Sequence, residues 1–129
     1  MSRATGLALV WSLAILAACS IPGDAFGDYE SLLFSFDKLG HLLMFAVFGV
    51  LWARAAPGRL GAVLLGGVAF AFASEGWQTL LPFERAGDLL DVLADVVGLL
   101  LGLAVATWAA PFRRRTASEK GNVRTGGVS

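Results

Sequence analysis

Four apolar runs of roughly bilayer-spanning length, each followed by a proline, constrain this chain more than any other feature. They cover Ala4 to Ile21, Leu39 to Ala56, Leu60 to Leu81 and Leu89 to Ala110, and Pro22, Pro57, Pro82 and Pro111 follow them. Crossing about 30 Å of hydrocarbon takes about 20 apolar residues as helix. Proline lacks a backbone donor and disfavours helix in the residue before it, so it marks the end of each run. In a chain of 129 residues that is 57% hydrophobic and 16% charged, this pattern predicts an all-α, polytopic membrane helix bundle with four transmembrane helices. Its transmembrane domain is expected over residues 1–112, with a polar, Gly-containing and disordered cytoplasmic tail over 113–129. No internal repeat is visible.

The first run admits two readings. Arg3, a short apolar stretch and Leu16-Ala17-Ala18-Cys19 resemble a secretory signal with a lipoprotein-type cleavage box, whose removal would leave three helices. An uncleaved first helix is favoured, because a lipid on Cys19 adds little anchoring to a chain already held by three further spans. Cys19 is then a packing residue. As the one cysteine of the chain, it excludes an intrachain disulfide and a Cys-rich zinc site.

Lysine and arginine set the expected orientation. Arg3, Arg54, Arg59, Arg113, Arg114, Arg115, Lys120 and Arg124 all fall on one alternating side, eight of the ten basic residues. By the positive-inside rule both termini are cytoplasmic. The zero net charge gives no general attraction to nucleic acid, and the arginine triplet reads as a translocation stop that meets anionic lipid. Trp77 and Trp108, near helix ends, read as interfacial anchors, and Ser31 to Phe36 as an interfacial lead into the second helix.

Given this orientation, the unusual polar residues gather near the outer face. The second helix enters through Asp37, Lys38 and His41, the third leaves through Glu75 and Gln78, and the fourth re-enters past Arg85 through Asp88, Asp91 and Asp95. At 1.5 Å per residue, Glu75 and Asp95 both reach about 10 Å below the helix ends that flank them. Asp88, Asp91 and Asp95 share a helical stripe about 60° wide, which Gly98 and Gly102 continue. Phe45, Phe48 and Trp52 lie below His41, so a dry aromatic core is expected beneath a polar cup, with the glycines letting helices approach closely. Five acids face Lys38 and Arg85, and with His41 neutral the surplus carboxylates must be protonated, solvated or bound to a cation. A charge at bilayer mid-depth costs about 2.5–3.5 kcal/mol on insertion scales, so such a cluster needs partners or a function.

These residues carry a resemblance. Asp37-Lys38-x-x-His41, Glu75-x-x-Gln78, then Arg85 and Asp91-x-x-x-Asp95-x-x-Gly98 look like the successive signature blocks of the VanZ-like family of small bacterial membrane proteins, over about Ser20 to Gly102. Two positions depart from the family pattern: Asp95 stands where an asparagine is expected and Glu84 where a small residue is expected, and both add negative charge. The resemblance implies the bacterial cytoplasmic membrane as location. The family is named for an accessory protein associated with low-level resistance to the glycopeptide teicoplanin, and relatives occur among envelope and polysaccharide genes; it implies no particular reaction.

Three kinds of function can use the cup. The leading one is binding of a lipid head group or other envelope ligand such as a glycopeptide, with Arg85 and Lys38 on phosphate or carboxylate, and with Gln78, Asp37, His41, Glu75, Asp88, Asp91 and Asp95 completing the site. In the second, a membrane-embedded enzyme acts on a lipid-linked intermediate, with Glu75 and Asp91 as acid and base and His41 as proton relay. No Gly-x-Ser-x-Gly, His-Glu-x-x-His or phosphate loop is present. A hard divalent cation on Asp88, Asp91 and Glu75 has only one histidine nearby and no defined ligand spacing, so no metal and no cofactor is assigned. The third, proton or cation conduction, lacks polar residues in the cytoplasmic halves of the helices. A purely structural ion-pair network is the alternative to all three. The expected partners are the lipid bilayer and the envelope ligand, and the sequence does not fix an oligomeric state.

Overall fold

The structure is a computed structural model that describes residues 1–21, 30–81 and 89–125, without the side chains of 30–36, 113 and 123–125. The segments 22–29 and 82–88, with Glu84, Arg85 and Asp88, therefore lie outside the described residues. The fold is all-α: α1 spans Arg3–Cys19, α2 Glu30–Ala55, α3 Leu60–Leu80 and α4 Leu89–Thr125. Among the described residues three stretches, Asp37–Ala55, Leu60–Leu80 and Leu89–Asn122, are long and apolar enough to cross a membrane, whereas α1 is a shorter apolar helix.

Exposure runs opposite to that of a water-soluble fold. Leu65 is 75% exposed and Trp108 80%, while Asp95 is 0% and His41 3% exposed. Apolar side chains facing outwards and ionisable ones facing inwards are what a hydrocarbon solvent selects.

Helices α2 and α4 share the most extensive interface and run in the same direction, with Leu42 against Gly98 and Ala46 against Gly102. A Cβ placed on Gly98 would lie 2.1 Å from the Leu42 carbonyl oxygen, and one on Gly102 2.1 Å from that of Ala46. Gly49 answers from α2, where a Cβ would lie 2.8 Å from the Leu99 carbonyl oxygen. The two backbones thus touch along a seam that no side chain can enter. Phe45 and Phe48 form the expected aromatic core with α3: Phe48 stacks on Phe70 at 5.2 Å between ring centroids, and Phe45 lies 5.9 Å from the same ring. Ile15, Leu99 and Ala71 complete the dry core with them.

The α2–α3 connection is short because Pro57-Gly58 makes a tight turn. Gly58 has φ +77°, and the Arg59 amide donates to the Ala56 carbonyl at 3.2 Å. Helix α1 is stitched to its neighbours by indoles: Trp11 donates to the Met44 carbonyl at 2.9 Å, Trp52 to Ser12 at 3.2 Å and Trp77 to Ser20 at 3.0 Å. Cys19 is buried in the core, as a packing residue should be. Trp77 is thus a tie between helices as well as a half-exposed ring, and Trp108 is exposed as expected of an anchor.

Two boundaries differ from the sequence expectation. Helix α2 begins at Glu30, so Ser31 to Phe36 is its first turns. Helix α4 does not stop at Ala110: it passes through Pro111 and carries the polar segment to Thr125 as helix. A mid-helix proline costs about 3 kcal/mol, but it leaves a single carbonyl unpaired. The alanines before it and the Arg, Ala, Glu and Lys residues after it are strong helix formers that continue the helix on both sides.

Candidate functional site

Helices α2 and α4 start, and α3 ends, at the same end of the bundle. This follows from the α2–α4 seam: once Leu42 meets Gly98 and Ala46 meets Gly102, the residues within the two turns before Leu42 and Gly98 must also face each other. Lys38 accordingly pairs with Asp91 through Nζ and Oδ1. His41 Nδ1 and Asp95 Oδ1 hydrogen-bond at 2.8 Å one turn deeper. Lys38 and His41 stand three residues apart on α2 and Asp91 and Asp95 four apart on α4, about one helical turn in each case, so two parallel helices present two rungs of one ladder.

Exposure falls steadily along that ladder. The side chain of Lys38 is 20% exposed and that of Asp91 9%, whereas His41 is at 4% and Asp95 at 0%. Helix α3 closes the third side with Glu75 and Gln78, 6% and 3% exposed. Neighbouring Ser74 and Thr79 return their hydroxyls to α3 itself, to the carbonyls of Ala71 and Glu75, so they offer nothing to the site.

Seven of the nine residues expected in the cup are described, and the structure brings all seven, Asp37, Lys38, His41, Glu75, Gln78, Asp91 and Asp95, to this one end of the bundle. Arg85 and Asp88 lie outside the described residues. Among the described residues two groups of three donor atoms form, each within 4.8 Å: Asp37, His41 and Asp91 on the more exposed side, and His41, Glu75 and Asp95 inside. His41 belongs to both. Two polar atoms of the site, Gln78 Nε2 and Asp95 Oδ2, are buried with no hydrogen-bond partner among the described residues.

Sequence reasoning named these residues, with Asp91 among the possible partners of Lys38, but not the His41–Asp95 pair. It set Glu75 with Asp91 as a carboxylate couple and left His41 as a relay, whereas the geometry makes His41 the hub and Asp95 its direct partner. The one-turn spacings, Lys38 to His41 on α2 and Asp91 to Asp95 on α4, were the signal that could have revealed it.

A bundle whose helices are apolar outwards and carry a graded polar cluster inwards defines a polytopic membrane protein with a buried polar cluster. The VanZ/LLP1 family model matches residues 5–110, and the chain belongs to that family. No curated protein and no solved structure matches it. The matched segment includes all of α2 and α3 and every polar residue named above.

Proposed function

We propose that this protein binds the polar head of an envelope lipid, or another envelope ligand, in the cup formed by α2, α3 and α4, and that the cup opens to the outer face of the bacterial cytoplasmic membrane with both termini inside. The observation that carries this reading is the exposure gradient. A structural ion-pair network has no need of an entrance, whereas here polar groups lead from a partly open Lys38–Asp91 pair to a closed His41–Asp95 pair. Lys38 is engaged by Asp91, so the described part of the site is rich in acceptors, and it favours a ligand that brings donors: sugar hydroxyls, amides or an amine. Gln78 Nε2, buried and without a partner among the described residues, supplies a donor for a ligand oxygen. Family membership makes teicoplanin, the glycopeptide linked to the family, the first compound to test.

The experiment expresses wild type, Lys38→Ala and Gln78→Leu at equal membrane levels. It measures teicoplanin susceptibility in cells and binding of envelope lipid extracts to the purified proteins. Loss of both signals in the two variants supports the reading; unchanged binding and unchanged susceptibility in both would sink it. A second reading, acid–base chemistry on a lipid-linked intermediate, draws on the His41–Asp95 hydrogen bond, which orients the imidazole as a carboxylate orients a catalytic base. Turnover that disappears in His41→Gln while binding persists would distinguish it.

A further inference from the structure

The inner rung of the site has an atom that the envelope-ligand reading leaves unexplained. Asp95 is completely buried; one carboxylate oxygen meets His41, and the other has no partner among the described residues. An ionised carboxylate with one oxygen unmatched in a low-dielectric interior is costly, and a neutral one that donates its proton to His41 Nδ1 still leaves Oδ2 without a donor. Around this carboxylate stand an imidazole and a second carboxylate, Glu75, all three donor atoms lying within 4.8 Å of one another.

We propose that His41, Glu75 and Asp95 bind one divalent transition-metal ion of the zinc or manganese type. One imidazole nitrogen and two carboxylate oxygens form a borderline donor set that suits Zn²⁺ or Mn²⁺ better than the all-oxygen shells of Mg²⁺ and Ca²⁺. The size fits. Ligand bonds of about 2.0–2.1 Å place tetrahedral donors about 3.4 Å apart, so the 2.8 Å between His41 and Asp95 opens by roughly half an ångström on loading. The two carboxylates neutralise a dication, and three protein ligands leave a position for water or for a ligand entering from the mouth.

The outer trio of Asp37, His41 and Asp91 is the poorer candidate, because Asp91 already holds the Lys38 ammonium, which a cation would have to displace. The inference does not depend on the nature of any envelope ligand: the metal is read directly.

The test uses full-length, tag-free protein in lipid nanodiscs, stripped with a chelator, re-equilibrated with ZnCl₂ or MnCl₂ and measured by elemental mass spectrometry and calorimetric titration. Wild type is expected to retain close to one ion per chain and to unfold at a higher temperature when loaded. Asp95→Asn, which keeps the size of the side chain, and His41→Gln are expected to lower the affinity at least about tenfold, while Asp91→Asn retains it. Helicity and elution volume confirm that each variant is folded. Wild type that retains neither ion overturns the proposal without reference to any variant. Asp95→Asn binding as tightly as wild type overturns it as well, and loss in Asp91→Asn alone would move the ion to the outer trio and overturn the assignment to Asp95.

Discussion

The two halves of the α2–α4 interface are built on opposite principles. In the apolar half, Gly49, Gly98 and Gly102 bring backbone against backbone, with no side chain between. In the polar half, the same two helices are joined by Lys38–Asp91 and His41–Asp95. One half is defined by what is missing from the residues and the other by what they carry. The first sets the second: carbonyl oxygens lodged against glycines fix the helices in translation and rotation, and only in that register do the rungs of charged and polar side chains meet. Buried ionic groups are weak evidence for stability, so we assign stability to the glycine seam and propose a functional role for the rungs.

If that division is right, the largest effect comes from the smallest atom. Gly102→Ala puts a methyl 2.1 Å from the Ala46 carbonyl oxygen, which is backbone and cannot rotate away. The helices must part, at a cost of about 3 kcal/mol or more. Gly66→Ala on α3, where nothing lies within 4 Å, is expected to be neutral or to gain up to about 1 kcal/mol in helix propensity. Unfolding by titration of a denaturing detergent, followed by helicity, ranks the two. Equal stability of the variants would break the comparison.

The inner rung should come next. His41→Ala or Asp95→Ala strands a buried polar partner and is expected to cost about 1–3 kcal/mol, less than the glycine change. Asp95→Asn, which keeps a hydrogen-bonding group beside Nδ1, is expected to cost under about 1 kcal/mol. The same unfolding titration reads this difference, and an Asp95→Asn protein as unstable as Gly102→Ala would return the polar half to a structural role.

Much of this division could be read from residue order, for a physical reason. Span length, the outward apolar faces and membership of the polar set depend on local periodicity and on the cost of charge in hydrocarbon, and both are properties of a single helix. Pairing is a property of two. Glu75, Asp91, Asp95 and His41 were visible as a set, but whether His41 meets Asp95 depends on the offset between α2 and α4, which the glycines fix from a distance of one to two turns. The indole ties from Trp11, Trp52 and Trp77 were hidden for the same reason, since each donor has its acceptor on another helix. Pro111 misled in the other direction. Its local signal is a stop, yet the cost of one lost hydrogen bond is outweighed by the helix formers on either side.

The smallest effect sharpens the comparison within the polar half itself. Lys38 and Asp91 retain contact with the surroundings at the mouth, whereas His41 and Asp95 do not. A pair that both partners can partly resolvate is worth about 0–1 kcal/mol, and screening by salt reduces it further. A double-mutant cycle with Lys38→Met and Asp91→Asn is therefore expected to give a coupling under about 1 kcal/mol that shrinks between low and high salt. The corresponding cycle with His41→Leu and Asp95→Leu is expected to give a larger coupling that salt does not move, because no counterion reaches an interior at 0% exposure. If the outer coupling equals the inner one and is equally deaf to salt, the mouth is closed. The gradient that argues for an entrance would then be gone, and with it the main support for a bound ligand.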